Sequence, residues 1–183
     1  IIPVKEFSDN EYLVMVTKNG IIKKTPASEY ESIRKSGKIA ITLKEGDELI
    51  SIFKTTGNDN IFLATRNGMA ICFNENDARA VGRTASGVKA IDLADGDYVV
   101  GAEPVREDSK VLLVTDGGYG KCTDLTSFRI QHRGGKGLKA YKITEKTGNI
   151  IGISMVNDSE ELIMVTSEGV VIRIRIKDRS EEH

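Results

Sequence analysis

The chain has 183 residues, 39% of them hydrophobic and 29% charged, and carries a net charge of −1. A near-neutral total makes no case for a polyanionic partner, so only the distribution of charge can make one. No apolar run reaches the ~18 residues of a membrane helix, and Lys5, Glu6 and Asp9 break any signal-peptide pattern, so no membrane partner is expected.

Aromatic residues are only 5% and Trp is absent, so the core must rest on Ile, Val and Leu, which suits strands. The two cysteines, Cys72 and Cys122, have no CxxC spacing and no nearby His pair. Zinc is not expected, and a reducing, cytoplasmic compartment is. The start at Ile1 and the charged ending Glu181-Glu182-His183 read as a fragment of a longer protein.

In chain order, residues 1–7 read as the closing strand of a preceding unit. A motif then recurs about every 50 residues, the signature of a repeat architecture. An apolar run ends in Thr17-Lys18-Asn19-Gly20, in Thr65-Arg66-Asn67-Gly68, in Thr115-Asp116-Gly117-Gly118 and in Thr166-Ser167-Glu168-Gly169. Each is a hairpin turn, followed by a second strand at 21–25, 69–73, 119–123 and 170–176. The first strands are apolar on both faces, so they should be buried on both sides. A helical turn fits near 27–33.

A basic, glycine-containing loop follows each of the first three hairpins. These are Ile33-Arg34-Lys35-Ser36-Gly37-Lys38, then Val81-Gly82-Arg83-Thr84-Ala85-Ser86-Gly87-Val88-Lys89, then Gln131-His132-Arg133-Gly134-Gly135-Lys136-Gly137 with Leu138-Lys139. A strand leads away at 39–43, 88–93 and 138–143. A turn at Gly46-Asp47, Gly96-Asp97 or Thr147-Gly148 leads to a closing strand at 48–53, 98–102 and 149–156. The repeats are therefore 1–10 (the end of a preceding unit), 11–57, 58–107, 108–157 and 158–183 (truncated), within one partial domain. Four strands per unit at a fixed period predict an all-β propeller, an incomplete circle of about three and a half blades. A β-solenoid has shorter repeats and fits less well.

Charge is segregated within the repeat. Acids fall in turns and connections, at Glu45, Asp47 and Glu48, at Asp92, Asp95 and Asp97, at Glu103, Glu107 and Asp108, and at Asp158, Glu160 and Glu161. No acid occurs in 32–44, 78–91 or 127–144. A propeller arranges these windows around a circle, giving a basic stripe suited to nucleic acid. The bland alternative is a solvated face of Lys and Arg. The first candidates for phosphate contact are Arg133, Lys136 and Lys139, with Arg129 and His132 beside them. Arg34, Lys35, Lys38, Arg83 and Lys89 come next. Lys23, Lys24, Lys121, Arg173 and Arg175 extend the path. Gln131, Gly134, Gly135 and Gly137 shape a loop whose N–H groups an anion can approach.

Other function classes find less support. His132 is the one histidine besides His183, and no Ser/His/Asp or metal constellation can be assembled, so neither catalysis nor a cofactor is expected. A protein-binding propeller would show an exposed aromatic patch, and there are only five Phe and five Tyr.

The loop Gln131-His132-Arg133-Gly134-Gly135-Lys136-Gly137 resembles the seven-residue box of the DNA gyrase A family, with His132 at its variable second place. Tyr119-Gly120-Lys121 and Arg83-Thr84-Ala85-Ser86-Gly87-Val88-Lys89 are similar to blades of that family's carboxy-terminal domain. The resemblance spans all but about the last five residues. It implies a β-pinwheel, a propeller in which neighbouring blades exchange strands, with double-stranded DNA wrapped on the basic rim irrespective of sequence. It further implies an A2B2 holoenzyme that introduces negative supercoils, in which the remainder of the gyrase A chain is joined by a B subunit that hydrolyses ATP. The DNA-cleaving tyrosine would lie outside this chain, and the assembly would be cytoplasmic and nucleoid-associated. Topoisomerase IV is the alternative, but its equivalent domain has a degenerate box. The family's defining box lies in the first of about six blades, whereas two repeats precede the match here. The match is therefore expected to be the box-like loop of a later blade.

Overall fold

The computed structural model describes residues 10–30, 43–156, 161–165 and 171–175, the last two stretches as backbone strands. In chain order the strands are β1 (Tyr12–Thr17), β2 (Ile21–Pro26), β3 (Leu49–Thr55), β4 (Asn60–Thr65), β5 (Met69–Asn74), β6 (Val88–Lys89) and β7 (Val99–Pro104). They continue with β8 (Lys110–Thr115), β9 (Gly120–Asp124), β10 (Leu138–Lys139), β11 (Ile150–Val156), β12 (Glu161–Val165) and β13 (Val171–Arg175).

All named strands pair antiparallel, in sheets ordered β3-β1-β2-β6, β7-β4-β5-β10, β11-β8-β9 and β12-β13. The hairpin register repeats from blade to blade. Val14 faces Lys24, Phe62 faces Cys72, Leu112 faces Cys122 and Ile163 faces Arg173. The fold is an all-β propeller whose first two blades take their fourth strand from the next repeat: β6 pairs with β2, and β10 with β5.

The recurring threonine has a physical reason. In each of the first three hairpins the turn closes on a glycine of positive φ, with Gly20, Gly68 and Gly118 donating to the carbonyls of Thr17, Thr65 and Thr115. The threonine hydroxyl then accepts the N–H of Ile21, Met69 or Tyr119, each at 3.2 Å. All three threonines are fully buried, so their hydroxyls find a partner within the hairpin rather than in water. Asp47 and Asp97 do similar work, accepting the turn N–H groups of Asn19 at 2.9 Å and Asn67 at 3.0 Å. These acids are turn caps.

Blades stack through faces that are apolar on both sides. Val14, Val16 and Ile22 pack against Ile61, Leu63, Ile71 and Phe73. The other face of the second blade, with Phe62, Ala64, Ala70 and Cys72, packs against Val111 and Leu113. The inner strands β3, β7 and β11 contact one another in turn and flank a cavity of about 620 Å³, so they mark the propeller axis. The opposite sheet edge, held by β6 and β10, is the outer rim.

Three sequence expectations are trimmed. The strands expected at 88–93 and 138–143 pair over two residues only, because Ala90 and Ile91 both turn their N–H groups onto Gly20 O, and Ala140 and Tyr141 onto Gly68 O. The expected helical turn is a 3₁₀ turn at Ala27–Tyr30, and its continuation lies outside the described residues. The strands expected at 1–7 and over most of 39–43 also lie outside them.

One inter-blade contact is ionic. Lys24 Nζ lies 3.0 Å from Glu75 Oε1, with both side chains buried, and the ammonium sits 4.4 Å from the ring centroid of Tyr12. Glu75 Oε2 also accepts the N–H of Asp59 at 3.0 Å. Removing one partner leaves a buried charge unpaired. Lys24→Met should therefore cost about 3–5 kcal/mol in urea denaturation, whereas Lys24→Met/Glu75→Leu should recover most of it.

Candidate nucleic-acid interface

The rim is built by the exchanged strands. Each is preceded by a glycine that must press against the preceding blade. A Cβ on Gly137 (φ 79°) would sit 2.4 Å from Ala70 O, and one on Gly87 (φ 93°) would sit 2.5 Å from Ile22 O. Glycine is required there on both steric and conformational grounds. Immediately after it, Val88 and Leu138 are half-buried while Lys89 and Lys139 project into solvent. The period of two that seals the exchange therefore also presents the charge.

Consecutive loops touch along the rim. Gly134 N–H donates to Ala90 O at 2.7 Å, and Asp92 N–H donates to Gly135 O at 2.8 Å. Gln131 N–H donates to Cys72 O at 2.8 Å, which anchors the start of the loop to β5. Arg133 Nη1 donates to Lys89 O at 3.0 Å and Arg133 Nε to Asp77 O at 2.8 Å. Gly135 is exposed, and a Cβ there would meet nothing closer than His132 O at 3.9 Å.

Arg129, His132, Lys136, Lys139 and Lys89 are exposed. Arg133 and Arg83 are half-buried, with their loops tied to the neighbouring blade. Lys121 is half-buried, and its Nζ donates to Ala140 O at 3.4 Å. Arg173 and Arg175 lie on β13, but their side chains, like the whole of Arg34, Lys35 and Lys38, fall outside the described residues.

Lys23 and Lys24 are corrected. They are 1% and 5% exposed and cannot extend a surface path. Their strand is covered on both faces, so an alternating pattern there leaves no solvent side. Lys24 pairs with Glu75, and Lys23 Nζ donates to Arg83 O. The acid-free windows are also not acid-free in space. Asp77 Oδ2 lies 3.2 Å from His132 Nδ1, and Asp92 lies 3.6 Å from Lys89 Nζ. Lys136 shares a groove of about 420 Å³ with Asp92, Asp95 and Asp97.

Two further exposed cations belong with the rim: Arg79, and Lys142 of the acid-free run 127–144. Arg79 occupies the position of Arg129 one repeat earlier, and Lys142 the position of Asp92 one repeat later. The repeat spacing is the signal for both. Among the described residues no cluster of His, Cys, Asp and Glu is suited to a metal, and no helix is long and apolar enough to cross a membrane.

Residues 11–56, 59–106, 109–157 and 160–178 match the family described as "DNA gyrase C-terminal domain, beta-propeller". The chain belongs to this family. The gyrase relatives agree: the A subunit of DNA gyrase from Clostridium acetobutylicum is 52% identical over 180 residues, which are 98% of this chain and 22% of that protein. Its counterpart from Halalkalibacterium halodurans is 58% identical over the same shares. The chain thus spans about a fifth of the length of these gyrase A relatives. Among solved structures, a C-terminal domain of DNA topoisomerase IV aligns with a TM-score of 0.86 at 30% identity, covering 97% of this chain and 56% of that one. A DNA gyrase A C-terminal domain aligns with a TM-score of 0.82 at 27% identity, covering 93% and 57%.

Two outcomes follow for this gyrase-family rim. Gly137→Ala should lose about 3 kcal/mol or more in urea denaturation, because the carbonyl it meets is backbone. Gly135→Ala should stay within about 0.5 kcal/mol of the parent. Burial holds the Lys23 ammonium down to about 8, against 10.5 in the unfolded chain, the Glu29 and Arg83 charges being smaller influences. Between those values the unfolded state binds more protons, so this group's contribution to stability rises with pH. Lys23→Met should therefore gain on the parent most at pH 7, and the difference should shrink by at least about 1 kcal/mol by pH 9.5 in paired denaturation curves.

Proposed function

We propose that the chain binds duplex DNA on its outer rim, without reading sequence, as part of the A subunit of a DNA gyrase. The observation that carries this is the exchanged-strand rim, where Lys89, Lys139 and Lys142 stand exposed on loops that hydrogen-bond to one another. Lys and Arg on successive blades would neutralise successive phosphates and release counterions, and the curved array would hold the duplex bent. Bending 20–30 bp costs on the order of 1–6 kcal/mol, which several such contacts must offset.

In the whole protein this surface would wrap DNA and present a segment for strand passage by a type II topoisomerase. ATP hydrolysis would belong to a B subunit, and DNA cleavage to the remainder of the gyrase A chain, in an A2B2 assembly. This chain's own part would be binding and bending, with no catalytic group and no cofactor, in the cytoplasm at the nucleoid. The fold similarity to a topoisomerase IV C-terminal domain favours a second reading as that enzyme's DNA-binding segment. The box at 131–137 and the gyrase A relatives favour the first.

The test is fluorescence anisotropy with a duplex of about 30 bp over a salt series. Binding should be independent of sequence and fall linearly on a log–log plot. Lys139→Ala/Lys142→Ala should make the slope shallower by about 1.8, at roughly 0.9 per phosphate contact. Binding that ignores salt, or a double variant with the parental slope, would sink the reading.

A further inference from the structure

We propose that Asp77 and Arg133 form an inter-blade latch that sets the shape of the 131–137 loop, making Arg133 a positioning residue while exposed neighbours contact the phosphates. This rests on the DNA-binding reading of the rim. Asp77 closes the 3₁₀ turn Glu75–Asp77 of the second blade, and the loop it holds belongs to the third repeat. Asp77 Oδ2 accepts the backbone N–H of Arg133 at 3.2 Å and faces His132 Nδ1 at the same distance. The Arg133 guanidinium returns the contact. Its Nε donates to Asp77 O at 2.8 Å and its Nη1 to Lys89 O at 3.0 Å.

A planar fork placed on two backbone carbonyls of the neighbouring repeat is committed in direction, and a lysine cannot reproduce that geometry. Arg133 is half-buried, whereas Arg129, Lys136 and Lys139 are exposed, and among the described residues none of these three side chains is hydrogen-bonded or ion-paired. The arrangement recurs one repeat earlier. Glu29 stands at the third position of the turn Ala27–Tyr30, and its Oε1 accepts the N–H of Arg83 at 3.3 Å. An acid on each of the first two turns thus receives the arginine amide of the next loop. With the latch closed, Gly134 N–H reaches Ala90 O, and Gly135 stays at the surface.

The sign of one substitution separates latch from simple electrostatics. Removing an acid beside a basic rim ordinarily tightens binding to a polyanion. If Asp77 is a latch, Asp77→Ala instead weakens duplex binding, by about tenfold for a lost charge-assisted hydrogen bond, with the parental salt slope. Arg133→Lys, which keeps the charge, should weaken binding as much as Arg133→Ala, and both should keep the parental slope. Lys139→Ala should lower the slope by about 0.9 and be restored by Lys139→Arg. Hydrogen exchange at the Arg133 and Gly134 amides reads the latch without DNA. Asp77→Ala should accelerate both at least about tenfold while the β4 and β8 amides stay protected. Tighter binding by Asp77→Ala, a parental affinity for Arg133→Lys with a shallower slope for Arg133→Ala, or unchanged exchange would each overturn the latch. Loss of exchange protection in a chain that binds no DNA would keep the latch and sink the DNA-binding reading.

Discussion

The structure depends on an edge that no blade can pair by itself. β2 and β5 each end their own repeat's share of the sheet at the rim, with backbone N–H and C=O groups facing outward. An open edge of this kind invites pairing with any passing strand. Here the next repeat supplies two residues, β6 or β10, and no more. So short a strand brings little hydrogen bonding of its own, and it holds because the chain on either side is also fixed. Val81 and Gln131 donate to Lys24 O and Cys72 O before it, and Ala90 and Ala140 donate to Gly20 O and Gly68 O after it. The glycine before each exchanged strand lets two backbones approach at a distance that a Cβ would forbid.

This constraint decides where charge can go. An exchanged strand must cross between blades on the outside, so one residue faces inward and the next faces water. Val88-Lys89 and Leu138-Lys139 meet both demands in two positions. The acids are used differently. Asp47 and Asp97 saturate hairpin turns, Glu75 neutralises Lys24, and Asp77 is hydrogen-bonded to the loop of the next repeat. A net charge of −1 is therefore compatible with exposed cations on the rim, because many of the acids are fixed in place as partners of backbone N–H groups.

Much of this was legible in the sequence. The Thr-x-x-Gly spacing located three described hairpins, and the doubly apolar runs correctly implied strands covered on both faces. The 50-residue separation of Cys72 and Cys122 marked one structural position, opposite Phe62 and Leu112. Inter-blade electrostatics were not legible. Lys23 and Lys24 read as surface cations because sequence alone does not reveal that Glu75, about fifty residues away, lies behind one of them. Windows free of acid along the chain also said nothing of Asp77 and Asp92, which the fold brings back to the loop from just outside those windows. Periodicity reports which face a residue takes, but a buried partner from another repeat has no local signal.

The repeats are alike in backbone and unlike in charge, and two of the differences fall beside the rim. The turn position that holds Asp77 in the second blade holds Ser127 in the third. The rim position of Asp92, which draws Lys89 into an ion pair, is Lys142 one repeat later. Two acids beside the rim are thus replaced by a hydroxyl and an ammonium at equivalent places. Lys89 shares its field with a carboxylate at 3.6 Å, whereas Lys139 stands three residues from another cation. Exposed charges separated by less than a Debye length of about 8–10 Å add with little screening. On the DNA-binding reading proposed above, these two exchanges would make the third repeat's stretch of rim at Lys139 and Lys142 more positive than the second's, and a polyanion following the rim would be held unevenly. A rim graded in this way would favour one placement of a bent duplex without reading a single base.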